Sequence, residues 1–226
     1  MIELGKSAPG RMETERTRLK KQAKRTAILK AALEEFTENG FAKTRLATVA
    51  QKAGVAKGTL YLYFASKEEL FAGVVEETLS PQEPYGEETS EDFHRPEDRL
   101  SRFLLDNVAS LRDSGRTGIA LVVLTEGHLF PRLVDIYTQA VLTPILDRIM
   151  TLAQTEESPR LKTIHRFPQL LMAPVLVGLL WNRIMTSSPP IDLPAIVKAQ
   201  LFLALGWTDE NENGPDTTVP AEPHLQ

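Results

Sequence analysis

The segment at residues 40–71, GFAKTRLATVAQKAGVAKGTLYLYFASKEELF, places the tightest constraint on how this chain can fold. Apolar residues in its first half recur at i, i+3, i+4 and i+7, which is the spacing of one face of an α-helix. These residues are Leu46, Val49, Ala50 and Ala53. Gly54 then predicts the helix end, because glycine adopts the left-handed backbone found there at little cost. A second short helix is predicted from about residue 56 to 64.

The second helix has a divided surface. Leu60, Tyr63 and Phe64 form its apolar side, so residues 57–59 and 61–62 point wholly or partly outward. Two short helices joined by a turn of three or four residues are typical of a helix-turn-helix, whose second helix enters the DNA major groove. Spacing alone leaves a plain packing hairpin open as the alternative.

The residues around the turn are more specific than the spacing. The text RTAILKAALEEFTENGF, followed by T-R-L-A-T-V-A-x-x-A-G-V-A-K-G-T-L-Y-x-Y-F-x-S-K-E-E-L, resembles the N-terminal domain of the tetracycline-repressor (TetR/AcrR) family over about residues 25–75. The resemblance implies an all-α protein with an N-terminal three-helix DNA-binding domain and a larger helical domain for ligand binding and dimerisation. Leu62 departs from the family, which often carries His at that position, and the change removes a possible polar contact to a base without affecting the expected fold.

The resemblance also implies roles for individual residues. Thr44 and Arg45 open the second helix near phosphates and a base edge, and the recognition helix supplies groove and backbone contacts. Gly58 permits close approach, and Tyr63 and Lys67 hold phosphates. The residues assigned to DNA are Thr44, Arg45, Lys57, Gly58, Thr59, Tyr61, Tyr63 and Lys67.

Two further helices flank the motif. Ile28, Ala32 and Phe36 predict a first helix that ends at Asn39-Gly40. Ser66 with Glu69 forms the pattern of a capping box, so a fourth helix is predicted to start there. In the family this fourth helix connects the DNA-binding domain to the body, and we expect it to transmit changes between them.

Charge is distributed unevenly along the chain. Residues 1–70 carry a net charge of +6, whereas residues 71–226 carry −10. This asymmetry predicts one end that faces nucleic acid. The basic stretch at residues 6–25 has two interpretations: ordinary solvated chain, or an arm that contacts the DNA backbone or minor groove.

Composition limits the other classes. The chain has no cysteine, which excludes disulfides and thiol catalysis and suits a cytoplasmic location. No signal peptide is predicted at the N-terminus. The longest apolar run, at residues 170–181, is shorter than the ~20 residues of a membrane span, so no membrane partner is expected.

The body is predicted to be helical throughout. Helical periodicity returns at about residues 100–111, 119–129, 131–152, 160–186 and 193–206, with Pro168 and Pro174 starting, kinking or interrupting the fourth of these. The predicted organisation is a basic flexible arm (1–22), the helix-turn-helix domain (23–72), an effector-binding and dimerisation domain (73–207) with an acidic, proline-rich loop (80–99), and a disordered acidic tail (208–226).

Enzymatic signatures are not found in the sequence. The four histidines are too scattered for a local metal motif, and Glu126 and His128 diverge at i, i+2 on a helix. No nucleophile elbow or phosphate loop is present. We therefore expect a non-enzyme with no metal and no cofactor.

The family resemblance implies that the body binds a small molecule and dimerises. Large, soft or polar groups in apolar helices are candidates for the pocket, although each is also typical of ordinary core. These candidates are Phe103, Glu126, His128, Phe130, Tyr137, Met172 and Trp181. For the dimer interface, with intramolecular core as the alternative, the candidates are Leu176, Leu179, Leu180, Ile184, Ile196, Leu201 and Leu203.

The resulting hypothesis is a dimeric repressor on a palindromic double-stranded operator, released when a largely apolar effector binds. Two other classes stay open. One is an architectural DNA-binding protein without an effector, and the other is a helical small-molecule-binding protein without an operator.

Overall fold

The computed structural model describes residues 9–79, 95–111, 115–154 and 158–207. Within these ranges the regular structure is entirely helical, which confirms the predicted all-α fold. The helices are α1 (Pro9–Lys43), α2 (Leu46–Lys52), α3 (Lys57–Tyr61), α4 (Lys67–Leu79), α5 (Pro96–Ser110), α6 (Arg116–Glu126), α7 (Pro131–Tyr137), α8 (Thr143–Leu152), α9 (Pro159–Arg166), α10 (Gln169–Ile184) and α11 (Leu193–Leu205).

The chain divides into two compact units, each made of two stretches of sequence. Unit 1 comprises Met1–Ser80 and Ser114–Val141, and so contains α1–α4, α6 and α7. Unit 2 comprises Pro81–Asp113 and Leu142–Gln226, and contains α5 and α8–α11. Within unit 1, α6 packs on α1 and α7 packs on α4, although both helices follow the predicted boundary at residues 72/73 in the sequence.

Unit 1 is built around an aromatic cluster. Phe36 stacks on Phe41 at 5.6 Å between ring centroids, and both form T-shaped pairs with Phe71. Phe130 at the N-cap of α7 meets Phe41 at 4.9 Å. The predicted face of α1 is confirmed, since Ile28, Ala32 and Phe36 are all fully buried. Aromatic packing therefore joins α1, α4 and α7 in one core.

The local signals of the helix-turn-helix are confirmed. Gly54 has φ of 66°, and the Val55 N–H bonds the Ala50 carbonyl oxygen at 3.0 Å, closing the turn after α2. At the start of α4, the Ser66 hydroxyl accepts the Glu69 N–H at 3.0 Å, while the Glu69 carboxylate accepts the Ala65 N–H at 2.8 Å. The Ser66 bond is the one the capping box predicts, whereas the Glu69 carboxylate accepts the amide of Ala65 instead of that of Ser66.

Unit 2 holds a second, largely aliphatic core. Its fully buried residues include Leu100 of α5, Ile149 of α8, Leu161 of α9 and Leu201 of α11. Pro168 separates α9 from α10, whereas Pro174 stays inside α10. No single helix of the described ranges is long and apolar enough to cross a membrane; α9 and α10 pass that test only as a pair, bent by 65°.

One predicted helix is interrupted. The continuous helix expected at residues 131–152 is divided into α7 and α8 by a π-helical turn at Thr138–Leu142. Pro144 lies in the first turn of α8 and has no backbone N–H to donate to the preceding turn. The backbone widens there instead of continuing the regular ladder.

Several predicted segments lie partly or wholly outside the described residues. Of the arm at residues 1–22, residues 9–22 are the first turns of α1 rather than flexible chain, with exposed side chains from residue 15 onward. The loop predicted at 80–99 is described only from residue 95, and α5 begins at Pro96. The tail at 208–226 lies outside the described residues, and the domain boundaries stay a prediction.

Candidate nucleic-acid interface

The two residues at the start of α2 point in different directions. Thr44 is only 3% exposed, and its hydroxyl donates to the Gly40 carbonyl oxygen at 2.7 Å and to that of Glu35 at 3.2 Å. Its side chain closes the turn between α1 and α2. Arg45 is the N-cap of α2, is exposed, and makes no capping hydrogen bond with its side chain. Its guanidinium is therefore available at the surface of unit 1.

The short helix α3 presents a mixed basic and aromatic surface. Lys57 and Tyr61 are exposed one turn apart, with Lys57 Nζ 5.9 Å from the Tyr61 ring centroid. Thr59 and Tyr63 are half-buried beside them. Leu62, at the C-cap of α3, is 84% exposed. An apolar side chain so exposed costs hydration free energy unless a partner covers it, and a thymine methyl group is such a partner.

Gly58 occupies open space on α3. A Cβ atom added there would meet nothing within 4 Å. Neither crowding nor a positive φ therefore requires glycine at this position. Close approach of another molecule to the helix backbone is a physical reason that remains.

Lys67 is engaged within unit 1. Its ammonium donates to the carbonyl oxygens of Phe41 at 2.7 Å, Thr44 at 3.2 Å and Ala42 at 3.3 Å. It also lies 4.4 Å from the Phe41 ring centroid. Burial lowers the pKa of Lys67, and the nearby carboxylates of Glu68 and Glu126 oppose that shift. The three N–H donors of an ammonium are thus matched by three carbonyl oxygens of the turn before α2.

A second lysine ties α2 to α1. Lys52 Nζ lies 2.8 Å from Glu35 Oε1 and 3.2 Å from Glu38 Oε2. Hydrogen bonds to Glu35 and Glu38 raise the pKa of Lys52. Since the Glu35 side chain is buried, this pair orients α2 from its protein side and leaves Arg45 at the other end of the helix free to face outward.

Glu126, a predicted ligand-binding residue, contacts backbone amides. The Phe41 N–H donates to Oε1 at 3.1 Å and the Ala42 N–H donates to Oε2 at 2.7 Å. Gly40, immediately before them, has φ of 77° and ψ of 170°, which breaks the regular course of α1. Both carboxylate oxygens are therefore engaged beside the helix-turn-helix.

The seven predicted ligand residues are divided between the units. Glu126, His128, Phe130 and Tyr137 belong to unit 1, whereas Phe103, Met172 and Trp181 belong to unit 2. Phe103 and Met172 pack in the aliphatic core, and Trp181 is exposed, as is His128. Burial raises the pKa of Tyr137 to about 12, partly offset by the charge of Arg116.

Unit 2 contains buried polar atoms that the sequence did not single out. Among the described residues, Arg99 Nε, Ser101 Oγ and Gln200 Oε1 are buried without a hydrogen-bond partner. Ser101 and Gln200 lie on α5 and α11, which pack together. The sequence signal that could have identified Ser101 is its position directly after Leu100, among the apolar residues of α5 that form the core. In the same described residues, no cluster of three His, Asp or Glu is positioned for a metal ion.

The helices α1–α3, with an exposed basic and aromatic α3, define a helix-turn-helix DNA-binding domain. Residues 28–74 match the family model for bacterial regulatory proteins of the tetR family. The curated regulator RutR of Escherichia coli K12 is 49% identical over 57 residues, which are 25% of this chain and 27% of RutR. The chain thus covers about a quarter of that relative's length.

Solved structures extend the likeness to the fold of most of the chain. One match is FadR of Bacillus subtilis, solved with stearoyl-CoA, with a TM-score of 0.58 at 22% identity. The alignment covers 81% of this chain and 99% of FadR. NalD of Pseudomonas aeruginosa, the secondary repressor of the MexAB-OprM multidrug efflux pump, has a TM-score of 0.57 at 24% identity, with 83% and 98% covered. At these identities the likeness concerns the fold alone.

Proposed function

We propose that this protein is a homodimeric transcriptional repressor that binds a palindromic DNA operator and is released by a small, largely apolar effector. The observation that carries the proposal is the surface of α3, where Lys57, Tyr61 and Leu62 are exposed around an unobstructed Gly58. A cation, a phenol and a methyl-bearing side chain together match phosphate oxygens, base edges and thymine methyl groups.

Contacts within unit 1 support the same role. Lys52 and Lys67 are bound to carboxylates and carbonyl oxygens of the protein itself, so they hold α2 and the preceding turn in place. Arg45 and Lys57 are exposed basic groups on α2 and α3. Arg45 is accordingly our first choice for a base contact, with Lys57, Thr59, Tyr61 and Tyr63 along the groove and backbone.

An exposed apolar face of unit 2 supports homodimerisation. Ile184 and Leu203 are strongly exposed, while Leu179 and Leu201 of the same predicted set are buried in the core. Other large apolar side chains are also exposed on α10, at its C-cap and on α11: Leu170, Val177, Trp181, Met185 and Phe202. A second copy of the chain is the partner that a two-fold operator requires, because two recognition helices then read two half-sites.

The effector is proposed to occupy unit 2. Its core is aliphatic, which suits an apolar ligand, and the FadR structure gives a precedent in a fold relative that binds stearoyl-CoA. Ser101 and Gln200 supply the polar anchors, since each has a buried atom that lacks a partner within the described part of the chain. Phe103 and Met172 then line the apolar part of the effector site. Glu126 is not included in this site, because its carboxylate binds the Phe41 and Ala42 amides.

The test is a titration of the protein onto fluorescent duplex DNA from upstream of its own gene, beside a scrambled duplex at the same salt. Selective binding at two protomers or a multiple per site supports a dimeric regulator. Equal, weak binding to both duplexes would favour an architectural DNA-binding protein. Stearoyl-CoA is the first effector probe, and an apolar ligand that binds without any effect on DNA would favour the operator-independent alternative.

A further inference from the structure

The turn between α1 and α2 is held from two sides by opposite charges. On one side, the Glu126 carboxylate accepts the N–H groups of Phe41 and Ala42. On the other side, the Lys67 ammonium donates hydrogen bonds to the carbonyl oxygens of Phe41, Ala42 and Thr44. Peptide groups between a carboxylate and an ammonium are aligned by both, because their N–H and C=O dipoles point to opposite charges.

Gly40 makes the carboxylate contact possible. Its positive φ, 77°, turns the chain so that two successive N–H groups face one carboxylate. A Cβ atom at residue 40 would lie 2.1 Å from Glu126 Oε1. A side chain at residue 40 would therefore displace the Glu126 carboxylate from this position, and the positive φ would strain the backbone of any residue but glycine.

The turn leads directly into the DNA-reading helices. Arg45, the N-cap of α2, follows Thr44, whose backbone carbonyl is bound by Lys67 and whose hydroxyl bonds Gly40. A displacement of residues 41–44 is thereby passed to Arg45 and to α2 without an intervening flexible segment.

The other end of the contact lies on a helix that packs closely along α1. A Cβ atom at Gly118 of α6 would lie 2.2 Å from Thr37 Cγ2 of α1. Because the two helices are this close, a shift of α6 relative to α1 changes the position of Glu126 relative to the Phe41 and Ala42 amides. Sliding by about 1 Å, small for a helix shift, exceeds the distance tolerance of a hydrogen bond.

We propose that Glu126 is a positioning residue that couples α6 to the DNA-reading helices through the backbone of residues 40–44. While its carboxylate occupies the Phe41 and Ala42 amides, α2 and α3 are held in the arrangement that binds DNA. When α6 moves, the amides lose their acceptor and the arrangement loosens. This inference rests on the proposed DNA-binding function and assigns the regulation of the same site.

The test compares Glu126→Gln with Glu126→Asp and with Glu76→Gln in the full-length chain. Glu126→Gln keeps the shape but loses one acceptor oxygen, and Glu126→Asp keeps the charge but is too short to reach both amides. Glu76→Gln is the control for charge alone, because it removes the same charge from an exposed site of unit 1 on α4; Glu76 pairs with Arg25 at 3.5 Å, and Arg25 keeps its second partner Glu77 in this variant.

Two readouts are measured. In the first, both Glu126 variants bind the upstream duplex roughly 10-fold more weakly than wild type, as expected for the loss of a charged hydrogen bond. Electrostatics alone predicts the opposite sign for Glu126→Gln, because removal of a negative charge strengthens DNA binding. In the second, amide hydrogen exchange across α2 and α3 is faster in the variants by a similar factor, while α1 before Phe36 is unchanged.

Equal or tighter DNA binding by Glu126→Gln, with faster exchange confined to Phe41 and Ala42, would overturn the proposal and leave Glu126 as a local cap. If wild type itself fails to distinguish the upstream duplex from the scrambled one, the proposed function fails. The exchange readout needs no DNA, so it still decides whether Glu126 positions α2 and α3.

Discussion

Lys67 and Phe41 are joined twice: Lys67 Nζ donates to the Phe41 carbonyl oxygen at 2.7 Å and lies 4.4 Å from the centre of the Phe41 ring. The residues come from α4 and from the end of α1, so this pair fastens the fourth helix to the first. Replacing Lys67 by Met keeps the stem and removes the charge. We expect a loss of about 1–3 kcal/mol in the free energy of unfolding, since three carbonyl oxygens lose a charged donor.

Urea unfolding of Lys67→Met measures that loss, with Lys43→Met as the control because Lys43 is exposed in the last turn of α1. The same variants report on DNA. A fall of about 1 in the slope of log K against log salt would assign Lys67 a phosphate contact in addition to its internal bonds. Unchanged stability would contradict the role given to the three carbonyl bonds.

Arg45→Ala is expected to weaken operator binding by about 1–3 kcal/mol and to relax the preference at one base pair, because a guanidinium reads a guanine edge through two bonds. Thermal stability should change little, since the side chain is exposed and makes no capping bond. Binding to a set of duplexes with single substitutions gives the measurement. An equal loss on every duplex would make Arg45 a phosphate contact.

Gly58→Ala separates folding from DNA approach. The added methyl group has free space, so stability should stay equal or rise by about 0.5–1 kcal/mol from helix propensity. Operator affinity should nevertheless fall, if the α3 backbone lies against DNA. Gly54→Ala is the contrasting variant, because φ of 66° costs an L-residue about 1–2 kcal/mol and should lower the melting temperature. Unchanged operator affinity in Gly58→Ala would contradict close approach of the α3 backbone to DNA at this residue.

The apolar face of unit 2 predicts the oligomeric state. The double variant Phe202→Glu/Leu203→Glu changes two exposed residues of α11. It should convert a dimer to a monomer, because the interface would bury two carboxylates without a partner. Sedimentation equilibrium measures this change. Leu129→Glu is the control, since the exposure of Leu129 lies between those of Phe202 and Leu203 but the residue belongs to unit 1. A dimer that persists in the double variant would move the interface elsewhere.

The buried phenol of Tyr137 should make the free energy of unfolding fall at alkaline pH. Its pKa is raised to about 12, so the folded state keeps the phenol proton at a pH where the unfolded chain releases it. The stabilisation is fully present below pH ~10 and is lost as pH rises toward 12, by about 2–3 kcal/mol. Unfolding of wild type and Tyr137→Phe from pH 9 to 12 isolates this effect, because the remaining ionisable groups are common to both. Parallel pH profiles would refute it.

Local signals in the sequence predicted most of the fold. Gly54, the Ser66–Glu69 capping box and Pro168 each act through backbone geometry within a few residues, so the structure follows them directly. The π-helical turn before Pro144 was missed because the apolar periodicity of residues 131–152 continues through it. Periodicity reports which face is apolar and not whether each backbone bond is made.

The candidate site was only partly accessible from the sequence. Exposed positions of α3 could be predicted because they follow from helical spacing. The partner of Glu126 could not, since Phe41 is 85 residues away along the chain and the contact depends on how α6 packs on α1. Glu126 looked like a polar anchor for a ligand, because a carboxylate beside apolar residues gives the same pattern in either role.

The two-segment construction of unit 1 limits how this protein can be recombined with others. The family model ends at residue 74, yet the compact unit also needs the stretch from Ser114 to Val141. A fragment cut after α4 would lose Ile119 of α6 and Phe130 at the start of α7. Phe41 and the core surfaces that these two residues face would then be exposed to water. Chimaeras that exchange DNA specificity between relatives must therefore transplant α6 and α7 together with the first four helices. The compact unit that carries the helix-turn-helix is therefore encoded by two separate stretches of the sequence.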